Sequence, residues 1–371
     1  MDFAVDRIAV VNGLRGLAII GVLFQHIGFG WAMAAFGDAV PVVRPLLSNG
    51  WTGVNLFFIL SGFVLFLPYA AKRRTMQSAS DLWHFYKARF VRLMPLYYFT
   101  GAVVLVLAGP ILGAAALRGL AIDLATVRFV LRPYHFGVAI NFPLWSIGVE
   151  ILFSLVFPVA VVAIMRIGML PILGAALVFA LAARIEGRIW DIHPTGPNFI
   201  ADNIFGRIDE FVIGMAIARG YVEGGFTAWM RRMTWPGIGL VLLAWAGFYQ
   251  CQYRGFPLVT MAVLNNVLDL GLVGVVVAAL APGGGVHRVL TFAPLQVAGM
   301  MCYSLYIWHA PVMDALLDSH GLVPALLVLL VLAAFSYRYI EFRRVADWRA
   351  LFLWPAQFWP VRRAAVLAKQ G

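Results

Sequence analysis

Charge is scarce in this sequence. Asp, Glu, Lys and Arg make up 12% of 371 residues, about half the ~25% of a soluble domain. The chain therefore lacks the polar surface that water would require, and the membrane is left as its solvent. Acid is the scarcer sign, 17 Asp and Glu against 28 Lys and Arg, for a formal charge of +11. In a soluble chain that excess would point to nucleic acid. In a membrane chain it is what orients the loops, and no nucleic-acid partner is expected. Cysteine is nearly absent: Cys251 and Cys302 lie in different apolar segments, so they build neither a disulfide framework nor a cysteine-rich metal site. No Gly-x-Ser-x-Gly elbow, Walker loop or His-Glu-x-x-His pair occurs, and no metal is expected. Repeats, low-complexity tracts and long linkers are also missing, and the short loops leave no room for an appended soluble domain. The first apolar run starts at Ile8 without the usual basic flank or a small-x-small cleavage site. It reads as a first permanent helix and not as a cleaved signal.

What is present is apolar: 62% hydrophobic residues and a mean hydropathy of +0.87. A membrane-crossing helix needs about 20 mostly apolar residues. Such runs fall at 8–28, 52–71, 93–112, 144–165, 168–184, 204–220, 235–252, 259–281, 292–314 and 321–341. The expected fold is all-α, a polytopic membrane helix bundle of about ten transmembrane helices. The bundle forms one domain over 1–341, followed by a basic tail over 342–371. With both termini cytoplasmic, the clusters Lys72-Arg73-Arg74, Lys87-Arg89-Arg92, Arg231-Arg232 and Arg343-Arg344 all fall inside, as the positive-inside bias demands. Segment 113–135 is open between an eleventh span, a re-entrant piece and an interfacial helix. Segment 78–92, which mixes aromatic and basic residues, reads as an interfacial helix.

A few polar residues interrupt these runs. Arg15 lies inside the first, where a charge costs roughly 2.5–3.5 kcal/mol on insertion scales. His26 follows eleven residues later. Eleven helical steps come within about 20° of three full turns, so the two side chains share a face about 16 Å apart. Snorkelling to the two interfaces would explain each residue but not their common face. Arg89 and Arg92 sit at i, i+3 on the cytoplasmic edge of the third span, where two guanidinium forks suit a phosphate or pyrophosphate. Plain positive-inside anchoring is the alternative. Lys87 on the same side adds to the field met by a polyanion. Glu150, with Ser146 one turn earlier, needs a cationic partner on another helix. His309 has Tyr306 one turn back and is either a proton shuttle or a hydrogen-bonded packing residue. Asp209 and Glu210, near Arg207, are read as structural. Glu341 is read as an i, i+3 pair with Arg338, and Ser61-Gly62 as a patch of close helix approach.

Taken together, these stretches resemble the acyltransferase-3 family of bacterial membrane O-acyltransferases. They are LRGLAIIGVLFQH (14–26), GVNLFFILSGFVL (53–65), RFVRLMPLYY (89–98), PLWSIGVEILF (143–153), RIDEFVIGMAIA (207–218), YSLYIWHAPV (303–312) and YIEFRR (339–344). The resemblance implies a multi-pass protein of the bacterial inner membrane. It would transfer an acyl group, usually acetyl, from cytoplasmic acyl-CoA to a hydroxyl of a cell-surface or lipid-linked glycan, or of another carbohydrate-containing acceptor. It also implies that Arg15, His26, Arg89 and Arg92 are the residues tied to activity. On this reading Arg89, Arg92 and Lys87 hold the CoA phosphates and Arg15 orients the donor. His26 acts as general base or as a transient acyl carrier, and Glu150 and His309 complete the catalytic set. The acceptor is acylated either by the bundle or by a separate periplasmic acyl-transfer protein. Two other functions are alternatives: a proton-coupled transporter or flippase that uses the same intramembrane charges, and a non-catalytic assembly subunit, for which Arg89→Ala would leave the cellular phenotype unchanged.

Overall fold

A backbone in hydrocarbon has no water to pair with. An α-helix answers that within one segment by satisfying every N–H and C=O internally. The computed structural model describes residues 6–28, 45, 47–108, 113–126, 143–190, 198, 200–281 and 285–341, and no strand occurs among them. In chain order the helices are α1 (Asp6–Leu23), α2 (Gly53–Ala70), α3 (Ala79–Ala108), α4 (Ala114–Thr126), α5 (Leu144–Ile167) and α6 (Met169–Ile189). They continue with α7 (Ile204–Val222), α8 (Thr234–Tyr253), α9 (Thr260–Leu280), α10 (Gly285–Leu290), α11 (Ala293–Met300), α12 (Cys302–His320) and α13 (Leu322–Ser336). Wider π-helical turns extend α1 over Phe24–Gly28 and α13 over Tyr337–Glu341. Among the described residues, seven helices are long and apolar enough to cross a membrane: α1, α2, α3, α5, α6, α9 and α13 with their short extensions. The protein is a multi-pass helical bundle.

Two expectations need correction. The interfacial segment 78–92 and the described part of the span 93–112 are joined in one helix, α3, of 30 residues, about 45 Å long. Pro95 lies inside it without ending it. Span 292–314 is broken at Met301 into α11 and α12. Within 113–135 the described helix has 13 residues, about 20 Å against a hydrocarbon core of about 30 Å. The basic tail 342–371 and most of the loops 29–51 and 113–143 lie outside the described residues.

The α2–α7 seam bears out the small-residue patch. A Cβ on Gly62 would stand 2.0 Å from the Phe211 carbonyl oxygen, and one on Gly214 would stand 1.9 Å from that of Ile59. Backbones that close require glycine on both helices. Phe211 then stacks between Phe153 of α5, at 3.9 Å between ring centroids, and Phe58 of α2, at 4.7 Å.

Asp209 and Glu210 are structural, and more deeply so than their sequence setting implies, since both are fully buried. Arg184 of α6 reaches Asp209 at 2.6 Å, Glu210 at 3.4 Å and Asp269 of α9 at 3.6 Å. Arg207 pairs with Glu210 at 2.7 Å and also with Asp202, and Arg188 pairs with Asp202 at 2.9 Å. Asn55 of α2 donates to Glu210 and to Asn265 of α9, each at 3.0 Å. Asp209, Glu210 and Asp269 have the spacing of a cation site, but the Arg184 guanidinium already lies among them. The group locks α2, α6, α7 and α9 together.

Candidate active site

A cavity of about 430 Å³ opens between α1, α2, α3, α5 and α12. Its apolar wall includes Phe57, Phe58 and Leu65, and its polar wall carries Arg15, Arg89, Arg92, Glu150, Tyr303 and Tyr306. The i, i+3 spacing of Arg89 and Arg92 does turn both into one space, yet each has its own acid. Arg89 Nη2 donates to Glu150 Oε1 at 2.7 Å and its Nε to Ser154 Oγ at 2.9 Å. Ser61 Oγ donates to the same Glu150 oxygen at 3.4 Å. Arg92 pairs with Glu341, whose other oxygen accepts from Ser304 Oγ at 2.7 Å. The Arg92 guanidinium also lies 5.4 Å from the centre of the Tyr303 ring, within cation–π range. Partly buried charges cost far less when paired and hydrogen-bonded, so the two acids account for the holding of Arg89 and Arg92 at this cavity.

Arg15 differs. It lines the cavity within electrostatic reach of Glu150, Glu341 and Cys302. Among the described residues it makes no hydrogen bond or ion pair. It is the cation of this wall that is left to face a ligand.

His26 and His309 meet beyond the cavity, with ring centroids 5.1 Å apart. His26 sits in the π-helical turn that extends α1, a feature often found at functional sites. Its Nδ1–H donates to the Val22 carbonyl at 2.9 Å. His309, fully buried, donates Nδ1–H to the Tyr306 carbonyl at 2.5 Å. A backbone carbonyl only accepts, so in each neutral ring the proton is on Nδ1 and Nε2 carries the lone pair. His309 Nε2 has no partner among the described residues. An imidazole nitrogen with its lone pair available favours a ligand that brings a donor, as a hydroxyl does.

Tyr306 joins the two places. It lines the cavity, and its ring centroid is 5.4 Å from that of His309. Its hydroxyl accepts from Ser146 Oγ at 2.7 Å and donates to the Pro143 carbonyl at 3.1 Å. The shared face of Arg15 and His26 is borne out by what each meets on α12: Cys302 near the first, His309 against the second.

The structure thus brings Arg15, Arg89, Arg92 and Glu150 to one cavity, and His26 with His309 together outside it, behind Tyr306 of its wall. Lys87 is exposed and lies outside the cavity walls, where Arg74 stands instead. Glu341 does not pair with Arg338. The π-helical turn swings its carboxylate inward to α3, and Arg338 lies over the Tyr339 ring at 5.4 Å. Tyr303 and Ser146 gain roles that only their neighbours across the bundle reveal.

Residues 8–337 match the family described as acyltransferase domain, acyltransferase 3 type. The chain resembles peptidoglycan O-acetyltransferase OatA of Listeria monocytogenes, with 23% identity over 81% of this chain and 49% of that protein. It resembles O-acetyltransferase OatA of Staphylococcus aureus with 24% identity over 89% of this chain and 56% of that protein. Acyltransferase MdmB of Streptomyces mycarofaciens is 27% identical over 82% of this chain and 79% of its own length. The chain spans about half the length of the OatA proteins that it matches. No solved structure matches it.

Proposed function

Because the chain belongs to the acyltransferase-3 family, we propose that it is a membrane O-acyltransferase that moves an acetyl group from acyl-CoA to a hydroxyl of a cell-surface carbohydrate. The acceptor class follows the relatives named for O-acetylation of peptidoglycan. The observation that carries the reading is the approach of a cavity lined by arginines to a pair of histidines whose Nδ1 atoms are bonded to backbone carbonyls, with Tyr306 between them.

Arg89 and Arg92 take the donor's phosphates at the cavity mouth, with Glu150 and Glu341 holding the two guanidiniums in place. Arg15, without a counter-ion of its own, faces the developing negative charge on the thioester oxygen. The acceptor hydroxyl donates to His26 Nε2, and its oxygen attacks the thioester carbon. The carbon–sulfur bond breaks, and the proton taken by His26 passes to the CoA sulfur. The products are an O-acyl ester and free CoA. General base catalysis at His26 supplies on the order of 10²–10⁴-fold, and positioning and oxyanion stabilisation supply the remainder. His309 Nε2, beside the His26 ring, is a second point for the acceptor hydroxyl group to bond. Both termini lie on the cytoplasmic side of ten crossings, in the inner membrane. A separate periplasmic protein is then unnecessary, since donor and acceptor meet inside the bundle.

Purified protein with labelled acetyl-CoA and a carbohydrate acceptor tests the reading. The unaltered chain should transfer label, and His26→Ala should lower kcat by 10²-fold or more while donor binding persists. Equal transfer by His26→Ala sinks the assignment of the base. A chain that moves acetyl-CoA across vesicles without consuming it sinks the enzyme.

A further inference from the structure

A second cavity of about 600 Å³ adjoins the first. Tyr69 and Arg74 stand in the walls of both. Lys72 and Arg166 add two further cations to its lining, and Met76 and Met165 add apolar, polarisable surface. Among the described residues no carboxylate lines it, although Asp81 bonds to Thr75 and Gln77 of its wall; in the first cavity Glu150 itself stands in the wall beside Arg89. A pocket whose described lining holds three cations, no carboxylate and two methionines suits an anion attached to a flat apolar group.

The loop that presents these cations is held in shape. The Pro68 carbonyl accepts from the backbone N–H of both Arg73, at 2.8 Å, and Arg74, at 3.2 Å. Lys72 adopts a φ of 55°, a left-handed conformation that a residue with a side chain keeps only where its surroundings fix it. At the start of α3, Asp81 Oδ2 accepts from Thr75 Oγ1 and the Gln77 N–H, each at 2.9 Å. A loop tied at both ends positions Arg74 and Lys72 before any ligand arrives, which lowers the ordering cost of binding.

We propose that this second cavity binds the nucleotide end of the donor, with Lys72 and Arg166 taking the ribose 3′-phosphate and Arg74 reaching the diphosphate that continues into the first cavity. The proposal rests on the reading of the donor as acyl-CoA. It explains why Arg74 is shared by two cavities, and it gives the exposed cations Lys72 and Arg166 a role beyond orienting the loops. It also divides the donor: thioester and pantetheine in the first cavity, adenosine and its phosphate in the second.

Calorimetry on the purified full chain, with CoA and 3′-dephospho-CoA as probes, tests this without turnover. The unaltered protein should bind CoA roughly tenfold or more tightly than the dephospho form, as charge-assisted contacts to one phosphate imply, and added salt should narrow the gap. A Lys72→Gln/Arg166→Gln double variant should bind both probes equally, near the unaltered protein's affinity for dephospho-CoA. Lys72→Arg/Arg166→Lys should restore the preference. Arg231→Gln, a charge removed from the loop before α8, should leave it unchanged. If the double variant still prefers CoA, or if the unaltered protein binds both probes alike, the second cavity is not the phosphate site and the donor reading stands. If the unaltered protein binds neither probe, the donor reading falls and this proposal with it.

Discussion

Glu150→Gln separates two roles that the same carboxylate could play. The side chains of Glu150 and Arg89 are 21% and 14% exposed and 2.7 Å apart, so their contact is little screened. A hydrogen bond to a charged partner contributes about 1.5–3 kcal/mol and one to a neutral acceptor about 1. The amide keeps the size of the side chain and one acceptor oxygen, so the substitution costs about 1–2 kcal/mol of the hold on Arg89. Ser154, bonded to Arg89 Nε at 2.9 Å, retains part of the geometry. A holding role therefore predicts a donor KM raised roughly 5–30-fold, with kcat within a few-fold of the unaltered protein. The assay is initial-rate acetyl transfer at varied acetyl-CoA and saturating acceptor, with CoA binding measured in parallel. A kcat lowered by 10²-fold or more at unchanged KM would instead mark Glu150 as an acid–base group and refute the argument. A lowered KM would refute it in another way, by showing that the carboxylate competes with the donor's phosphates for Arg89.

Arg184→Ala leaves Asp209, Glu210 and Asp269 facing one another without the guanidinium among them. It should cost about 3–5 kcal/mol, seen as a lowered unfolding temperature in detergent, with Arg184→Lys intermediate because it keeps the charge but loses the fork. Gly214→Val places carbon where only 1.9 Å separates a Cβ from the Ile59 carbonyl; it should abolish assembly of the α2–α7 seam, whereas Gly174→Ala, which meets nothing within 4 Å, should be neutral. Asp202 gives a pH dependence. Burial works to raise its carboxyl, but Arg207 and Arg188 outweigh that and hold it below the usual carboxylate range. Its contribution to stability is then complete above about pH 3.9 and is lost as pH falls through the lower folded value. Asp202→Asn should remove that acid-limb loss, and an unchanged acid limb would refute it.

The legible parts of the site were those where the chain itself sets the spacing. Arg89 and Arg92 are three residues apart on one helix, so their common direction follows from helical geometry alone. Gly62 could be read as a close-approach position for a similar reason, since nothing else suits it in an apolar run. What the sequence withholds is partner choice. Glu150 visibly required a cation, but Arg89 lies 61 positions away and Arg15 and Arg92 were equal candidates. Glu341 illustrates the cost of preferring the nearby partner. Arg338 stands at i, i+3, yet the backbone widens into a π-helical turn at that point, and the carboxylate turns to Arg92 on α3. The buried ion network escaped for the same reason: its members come from α2, α6, α7 and α9, and no local pattern relates Arg184 to Asp269.

The eleven-step argument for Arg15 and His26 assumed 3.6 residues per turn throughout, and the π-helical turn over Phe24–Gly28 breaks that assumption. The two side chains nevertheless face the same neighbour, because α1 and α12 run side by side in one direction, Cys302 near Arg15 and His309 against His26. Seven residues separate the two positions on α12, about 10 Å of rise, against about 16 Å for eleven residues of regular helix on α1. The local widening and the tilt between the helices must absorb that difference. Tyr306 stands in this interval, bonded to Ser146 and to the Pro143 carbonyl. On the proposed reading, a donor anchored at Arg89 and Arg92 meets Arg15 and Tyr306 in the cavity wall before the histidines that lie behind Tyr306. The same reading would put the thioester beside Tyr306, next to the histidines that serve as base, and it predicts that Tyr306→Phe lowers transfer while donor binding persists.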